Sequence, residues 1–196
     1  MHLSDPHPGV RVARRDDLCC ALQLIEAILQ SHSYRLADDL VPYRNHASRV
    51  FLHCCTLLRH AEMDSPEQIQ RASIVAAFHD LGIWTAGTFD YIGPSCLLAR
   101  EYLRETGRPE WTAEVEAAIV FHHKITPARG RGALVDCFRR ADWTDVTRIA
   151  GFGVSAKHVA AARRQFPYEG FHRRLLHFAW KRFKQAPWSP LPMMKW

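Results

Sequence analysis

Apolar residues along this chain recur at spacings of three and four, and almost nowhere in the every-second-residue alternation of a strand. Leu18, Leu22, Ile25, Ile28 and Leu29 trace one helical stripe, which predicts a first helix over about 10–31. Leu40, Val50, Phe51, Leu57 and Leu58 mark the core side of a second, from about Asp38 to His60. Ser65-Pro66-Glu67 supplies a cap, a first-turn proline and a first-turn acid, so a third helix starts there and runs to about Leu81. Gly93-Pro94 opens a fourth that stops at Gly107, and Pro109-Glu110 opens a fifth that ends before Thr126-Pro127. The stretch RGRG reads as a loop, GALVDCFRRADWTDVTRIA as a sixth helix, and shorter helices fall near 155–165 and 170–185. In the proline-rich tail APWSPLPMMKW, residues Trp188, Met193, Met194 and Trp196 suit docking on the domain or on a second copy. The expected fold is all-α, a compact multi-helix bundle. Its core spans about 38–150, with the first helix before it and the last helices and tail, 151–196, after it.

Composition narrows this picture. A chain of 196 residues with 47% apolar content can bury one sizeable core, and no repeat or linker divides it, so residues 1–196 read as a single domain. The longest uncharged apolar stretch near the centre, Ala72 to Phe78, is too short to span a bilayer. The opening MHLSDPHPGVRVARRDD has polar residues and prolines where an export signal needs an apolar segment. Six cysteines include the adjacent pairs Cys19-Cys20 and Cys54-Cys55 but no Cys-x-x-Cys, which points to reduced, packing thiols in a cytoplasmic protein. The net charge of +6 comes from RVARRDD and ARRQFPYEGFHRRLLHFAWKRFK. With no nucleic-acid motif beside them, these runs read as solvated helix faces whose cationic stems cover apolar surface. Steering of a small anionic substrate stays open. The expected partners are that substrate and, at most, a second copy of the chain in a homo-oligomer, with no membrane, and the solvated-face reading is favoured over nucleic-acid binding.

The chemistry is concentrated at a few positions among twelve histidines. His46 sits inside the second helix, His79-Asp80 ends the third, His122-His123 ends the fifth, and Asp142 lies midway in the sixth. Alone, a helix histidine is usually structural and a mid-helix aspartate solvated. Together, four helices each deliver an imidazole or carboxylate near a polar-to-apolar transition. Helical bundles build metal sites from such inward side chains, and mixed nitrogen and oxygen ligands suit divalent first-row metals.

His46 in RNHASRV, the pair in FHDLG and Asp142 in RRADWTDV stand 33 and 62 positions apart, counted from His46 to His79 and from Asp80 to Asp142. In this order and these contexts they resemble the H…HD…D signature of the HD-domain superfamily of metal-dependent phosphohydrolases, over about Asp38 to Val146. The resemblance implies one divalent ion (Mn, Fe, Co, Ni or Zn, with Mg admissible) held by His46, His79, Asp80 and Asp142. It implies hydrolysis of a phosphate ester of a nucleotide-like or other small molecule. Two neutral imidazoles and two carboxylates would neutralise such an ion and leave positions for water and substrate. The ion would acidify its water to a hydroxide near neutral pH, with Asp80 helping to take the proton. Arg49 and Lys124, with His122 and His123, are the candidates to neutralise the transferring group; for Arg49 the alternative is a salt bridge between helices.

Two departures from the resemblance bear on the branch. Dinuclear members carry extra histidines from two helices between the pair and the last aspartate. Here none falls between Leu81 and Phe121, and then two are adjacent. The preferred reading is one ion, with His122 or His123 as acid or phosphate contact; a two-metal site would need Asp90 or another ligand. Nucleotide-directed members also place an acid soon after the pair, whereas LGIWTAGTFDYIGPS has none before Asp90. Trp84, Phe89 and Tyr91 in that stretch either stack on a substrate or anchor the loop. Asp145 either orients Asp142 or a histidine from behind, or is an exposed acid offset by Arg148. The alternatives carried forward are an HD-fold hydratase of a nitrile-like substrate, a diiron oxygenase, and a nucleotide-binding module without turnover.

Overall fold

The computed structural model describes residues 12–188 and 192–194, and every regular element among them is a helix. Helix α1 (Arg15–Ser31) begins where the Asp17 carboxylate accepts the Arg14 N–H, and it buries Ala21, Ile25, Ile28 and Leu29. Positions 10 and 11 of its predicted start lie outside the described residues. A short helix α2 (Ser33–Leu36) and a 3-10 turn at Ala37–Asp39 precede α3 (Leu40–His60). Helix α4 (Pro66–Phe78) starts at the predicted cap, with Ser65 Oγ accepting the Gln68 N–H. It ends three residues earlier than the pattern suggests, because the Leu81 N–H bonds back to the Phe78 carbonyl in a tight turn. His79 and Asp80 therefore sit in that turn, ahead of the single-turn helix α5 (Gly82–Thr85).

Gly82 has a specific reason to be glycine. A Cβ there would overlap the Tyr91 carbonyl and come within 2.9 Å of Ser95 N, where α6 (Ile92–Glu105) begins. The close approach lets the Gly82 N–H reach Ser95 Oγ at 2.9 Å. A 3-10 turn, Pro109–Trp111, leads into α7 (Thr112–Phe121), and α8 (Ala133–Thr147), α9 (Ala156–Gln165) and α10 (Phe171–Gln185) follow.

Helix α3 is the central element. It packs chiefly on α8 and also against α4, α1 and α9, while α7 bridges α4, α6 and α8. Its burial takes polar groups inside with the apolar ones: Asn45, His46, Ser48, Arg49 and His53 are all buried. Buried polar groups need partners, so their contacts define the site. All six cysteines are free thiols; Cys54, Cys55, Cys96 and Cys137 pack inside, while Cys19 and Cys20 are exposed and do not. In the tail Met193 is buried and Met194 half-buried, Trp188 is 85% exposed, and Trp196 lies outside the described residues. Among the described residues no helix is long and apolar enough to cross a membrane.

Candidate metal centre

The fold gathers His46 from α3, His79 and Asp80 from the turn after α4, His122 and His123 from the end of α7, and Asp142 from α8. Five of these are essentially inaccessible; His123 alone keeps 16% of its side chain exposed. His46 Nε2 and His79 Nε2 face each other at 3.0 Å. Asp80 Oδ2 lies 3.8 and 3.5 Å from those two nitrogens, and Asp142 Oδ1 lies 3.6 and 3.8 Å from them. Each carboxylate turns its other oxygen the opposite way: Asp80 Oδ1 is 3.3 Å from His122 Nε2, and Asp142 Oδ2 is 3.3 Å from His123 Nδ1. The ligand-competent atoms fall into two groups, His46, His79 and Asp142, and Asp80, His122 and His123. The pair after α7 thus belongs to the cluster itself, and Asp80 completes its group. Asp90 is exposed and takes no part.

Hydrogen bonding behind the rings sets their tautomers. His79 Nδ1 donates to the Ala76 carbonyl at 2.9 Å and His122 Nδ1 to the Ile119 carbonyl at 2.6 Å, since a carbonyl only accepts. His46 Nδ1 donates to Asp145 Oδ2 at 2.7 Å. When neutral, each of the three rings therefore presents an Nε2 lone pair to the centre. There the carboxylates offer no hydrogen either, and Asp80 Oδ1 and both Asp142 oxygens have no hydrogen-bond partner. Electron pairs converge with nothing to share, an arrangement that a cation stabilises and that costs free energy without one. The donor set, imidazole and carboxylate, fits a divalent metal.

Protonation follows the same logic. Burial depresses His79 to about 4, so its ring is neutral near pH 7. Burial works against the charge on Asp80, but His79, His122 and His123 outweigh it and hold the carboxyl well below its ordinary value. Asp142 is held low in the same way, burial being outweighed by His123, His122 and His79. Burial also lowers His122, yet the facing Asp80 and Asp142 outweigh it and raise this imidazole. A proton on His122 would occupy ground that a cation would otherwise take.

Behind His46, Asp145 and Arg49 are fully engaged with one another and their neighbours. Asp145 receives His46 Nδ1, Arg49 Nε at 2.6 Å and Arg49 Nη2 at 2.9 Å. Burial raises the Asp145 carboxyl, but His46 and Arg49 overcome it and keep it ionised. Arg49 also donates to the carbonyls of Phe166 and Pro167 at 2.9 and 3.1 Å and lies over the Tyr168 ring. This corrects the substrate-contact reading of Arg49: the guanidinium is fully buried on the far side of His46 and welds α3 to α8 and to the 166–168 loop. Asp145 is the orienting residue, for His46, and Arg148 packs on Tyr168 instead of pairing with it. Phe171 of α10 stacks on the His46 ring at 4.1 Å.

The remaining predicted contacts divide. Lys124 directs its ammonium to Thr126 Oγ1, while its carbonyl accepts from Trp143 Nε1 at 3.2 Å; it does not line the cavity at the cluster. Trp84 does not line it either: its ring packs on Tyr43 and its Nε1 donates to Asp39 at 2.8 Å, so it anchors the loop. Tyr91 does reach the site. Its hydroxyl is 2.8 Å from His123 Nε2, and burial followed by the charge of Asp80 raises its pKa, so it stays a proton donor. Pattern reading missed His172, Leu175 and Met193, which wall the same cavity of about 380 Å³. A larger open groove of about 640 Å³ between α1 and α4 contains none of the candidate ligands.

The chain matches no family model, no curated protein and no solved structure.

Proposed function

We propose that this protein is a metal-dependent hydrolase of the HD type, its ion held by His46, His79, Asp80 and Asp142. The observation that carries the reading is the inward set of unpartnered electron pairs: two Nε2 atoms 3.0 Å apart, facing an Asp142 Oδ1 that has no hydrogen-bond partner. A divalent cation, when bound, supplies an acidified water as nucleophile and a positive charge for the substrate's polar group. The chain's own residues then have distinct tasks. Asp145 and Arg49 hold His46 in one tautomer, and the Ala76 carbonyl does so for His79. Asp80, reaching both halves of the cluster and lining the cavity, is placed to receive a proton from the nucleophile. His123, hydrogen-bonded to Tyr91 and open to the cavity, is placed to deliver one to the leaving group.

His122 and His123 with Asp80 form a second group of ligand atoms, and that geometry supports a two-ion centre as the second reading. The test is metal stoichiometry on protein purified without chelator, followed by a phosphate-ester screen with Mn, Co, Ni, Mg and Zn. Bound metal with metal-dependent turnover supports the hydrolase. Two irons per chain with an oxygen-dependent product would replace it with an oxygenase, and no bound metal at all would leave a binding module.

A further inference from the structure

The cavity that meets the cluster has a composition at odds with a highly charged substrate. Its polar corner consists of Asp80, Tyr91 and His123, which sit together at the ligands. His172 adds a second imidazole, and the rest is apolar: Phe89, Trp143 and Val146, together with Leu175, Ala179, Met193 and Met194 from α10 and the tail. Among the described residues no lysine or arginine lines it. Arg49, Arg139 and Arg174 are paired instead with Asp145, Asp136 and Asp39. A nucleotide would bring several phosphate charges to walls that offer only the ion and two imidazoles to meet them. The wall also runs outward without becoming polar. Leu176 lines the cavity and is 72% exposed, and Trp180 and Phe183 extend the same apolar arc along α10.

We infer that the substrate is a small amphiphile, a single polar head carrying at most one negative charge on an apolar body. The head meets the ion and Tyr91, and the body lies between Trp143 and α10. About 380 Å³ holds roughly a dozen water-sized groups, enough for such a molecule. This inference rests on the metal-centre reading for the head and on the cavity walls alone for the body, and the two parts separate experimentally.

The experiment is calorimetric titration of the manganese-loaded protein with straight-chain hydroxamates, from acetohydroxamate to octanohydroxamate. Affinity should rise about fourfold per added methylene and level off when the chain outgrows the cavity. Ala179→Trp should bring that plateau to shorter chains while acetohydroxamate binding stays within about twofold; if the variant loses helical content, Val146→Phe serves in its place. Acetohydroxamate binding with no chain-length dependence overturns the amphiphile and leaves the metal centre standing. Failure to take up manganese and acetohydroxamate overturns the metal centre. In that case 1-alkanols from ethanol to octanol, titrated into metal-free protein, decide the cavity: the same slope supports an apolar-bodied ligand, and a flat response overturns it.

Discussion

Asp142 and Asp145 stand one turn apart on α8, both fully buried, and the protein treats them in opposite ways. Asp145 faces outward from the cluster and is saturated, with one imidazole N–H and two guanidinium N–H groups on its oxygens. Asp142 faces inward, and neither of its oxygens has a hydrogen-bond partner. A chain able to satisfy one buried carboxylate so fully has the means to satisfy the other. The contrast teaches that the inner side has donor atoms to spare, which could hold a cation, and that the outer side provides the rigidity that keeps them in place.

Substitution is the direct way to break that contrast. Asp142→Asn should lower metal affinity by more than the roughly 10–100-fold that loss of an outer partner causes, as measured by metal content after dialysis. Asp80→Ala should likewise abolish metal-dependent turnover with helical content retained. Asp145→Ala should do the reverse, costing about 3–5 kcal/mol in urea unfolding of the metal-free protein because it strands Arg49. Asp142→Asn in the same assay should leave metal-free stability unchanged or raised; a loss matching that of Asp145→Ala would erase the distinction. A smaller effect involves His53, buried near Asp145 with neither ring nitrogen hydrogen-bonded. Burial lowers its pKa from 6.5 to about 4 in the fold. As pH falls through that window the unfolded chain takes up the proton and the fold does not, so up to about 3 kcal/mol of stability is lost. His53→Phe should flatten the pH dependence of the urea midpoint between pH 6.5 and 4 relative to the native chain. The smallest effect is expected from Lys124→Ala, with metal content and KM changed by less than about twofold, since its ammonium is turned to Thr126.

Much of the inner side was legible before any coordinates. His46, the His79-Asp80 pair and Asp142 announce themselves by order, by context and by falling on helices whose apolar faces must meet. The outer side was legible only in part. Arg49 lies one turn from His46, and one-turn spacing leaves open whether a cation faces the ligand's pocket or its back; the docking of the 166–168 loop decides it. Adjacency likewise concealed that His122 and His123 serve one group with Asp80, because the sharing depends on the second oxygen of a carboxylate far off in the chain. Gly82, just past the predicted end of the third helix, is a contact point visible only once α6 is in place. The cavity walls were the least legible. Leu175, Ala179 and Met193 have the same pattern as any amphipathic segment, and their role comes from where α10 settles.

The position of α10 has a consequence for how the molecule is made. Every ligand group lies between His46 and Asp142, while the roof of the cavity comes from α10 and from Met193 and Met194. Synthesis proceeds from the N-terminal end, so the six ligands leave the ribosome about fifty residues ahead of the last roofing side chains, an interval of a few seconds at ordinary rates. During that interval the cluster's residues exist and the substrate cavity does not. On the proposed reading, the route by which an ion reaches the nascent cluster need not be the route by which a substrate later enters.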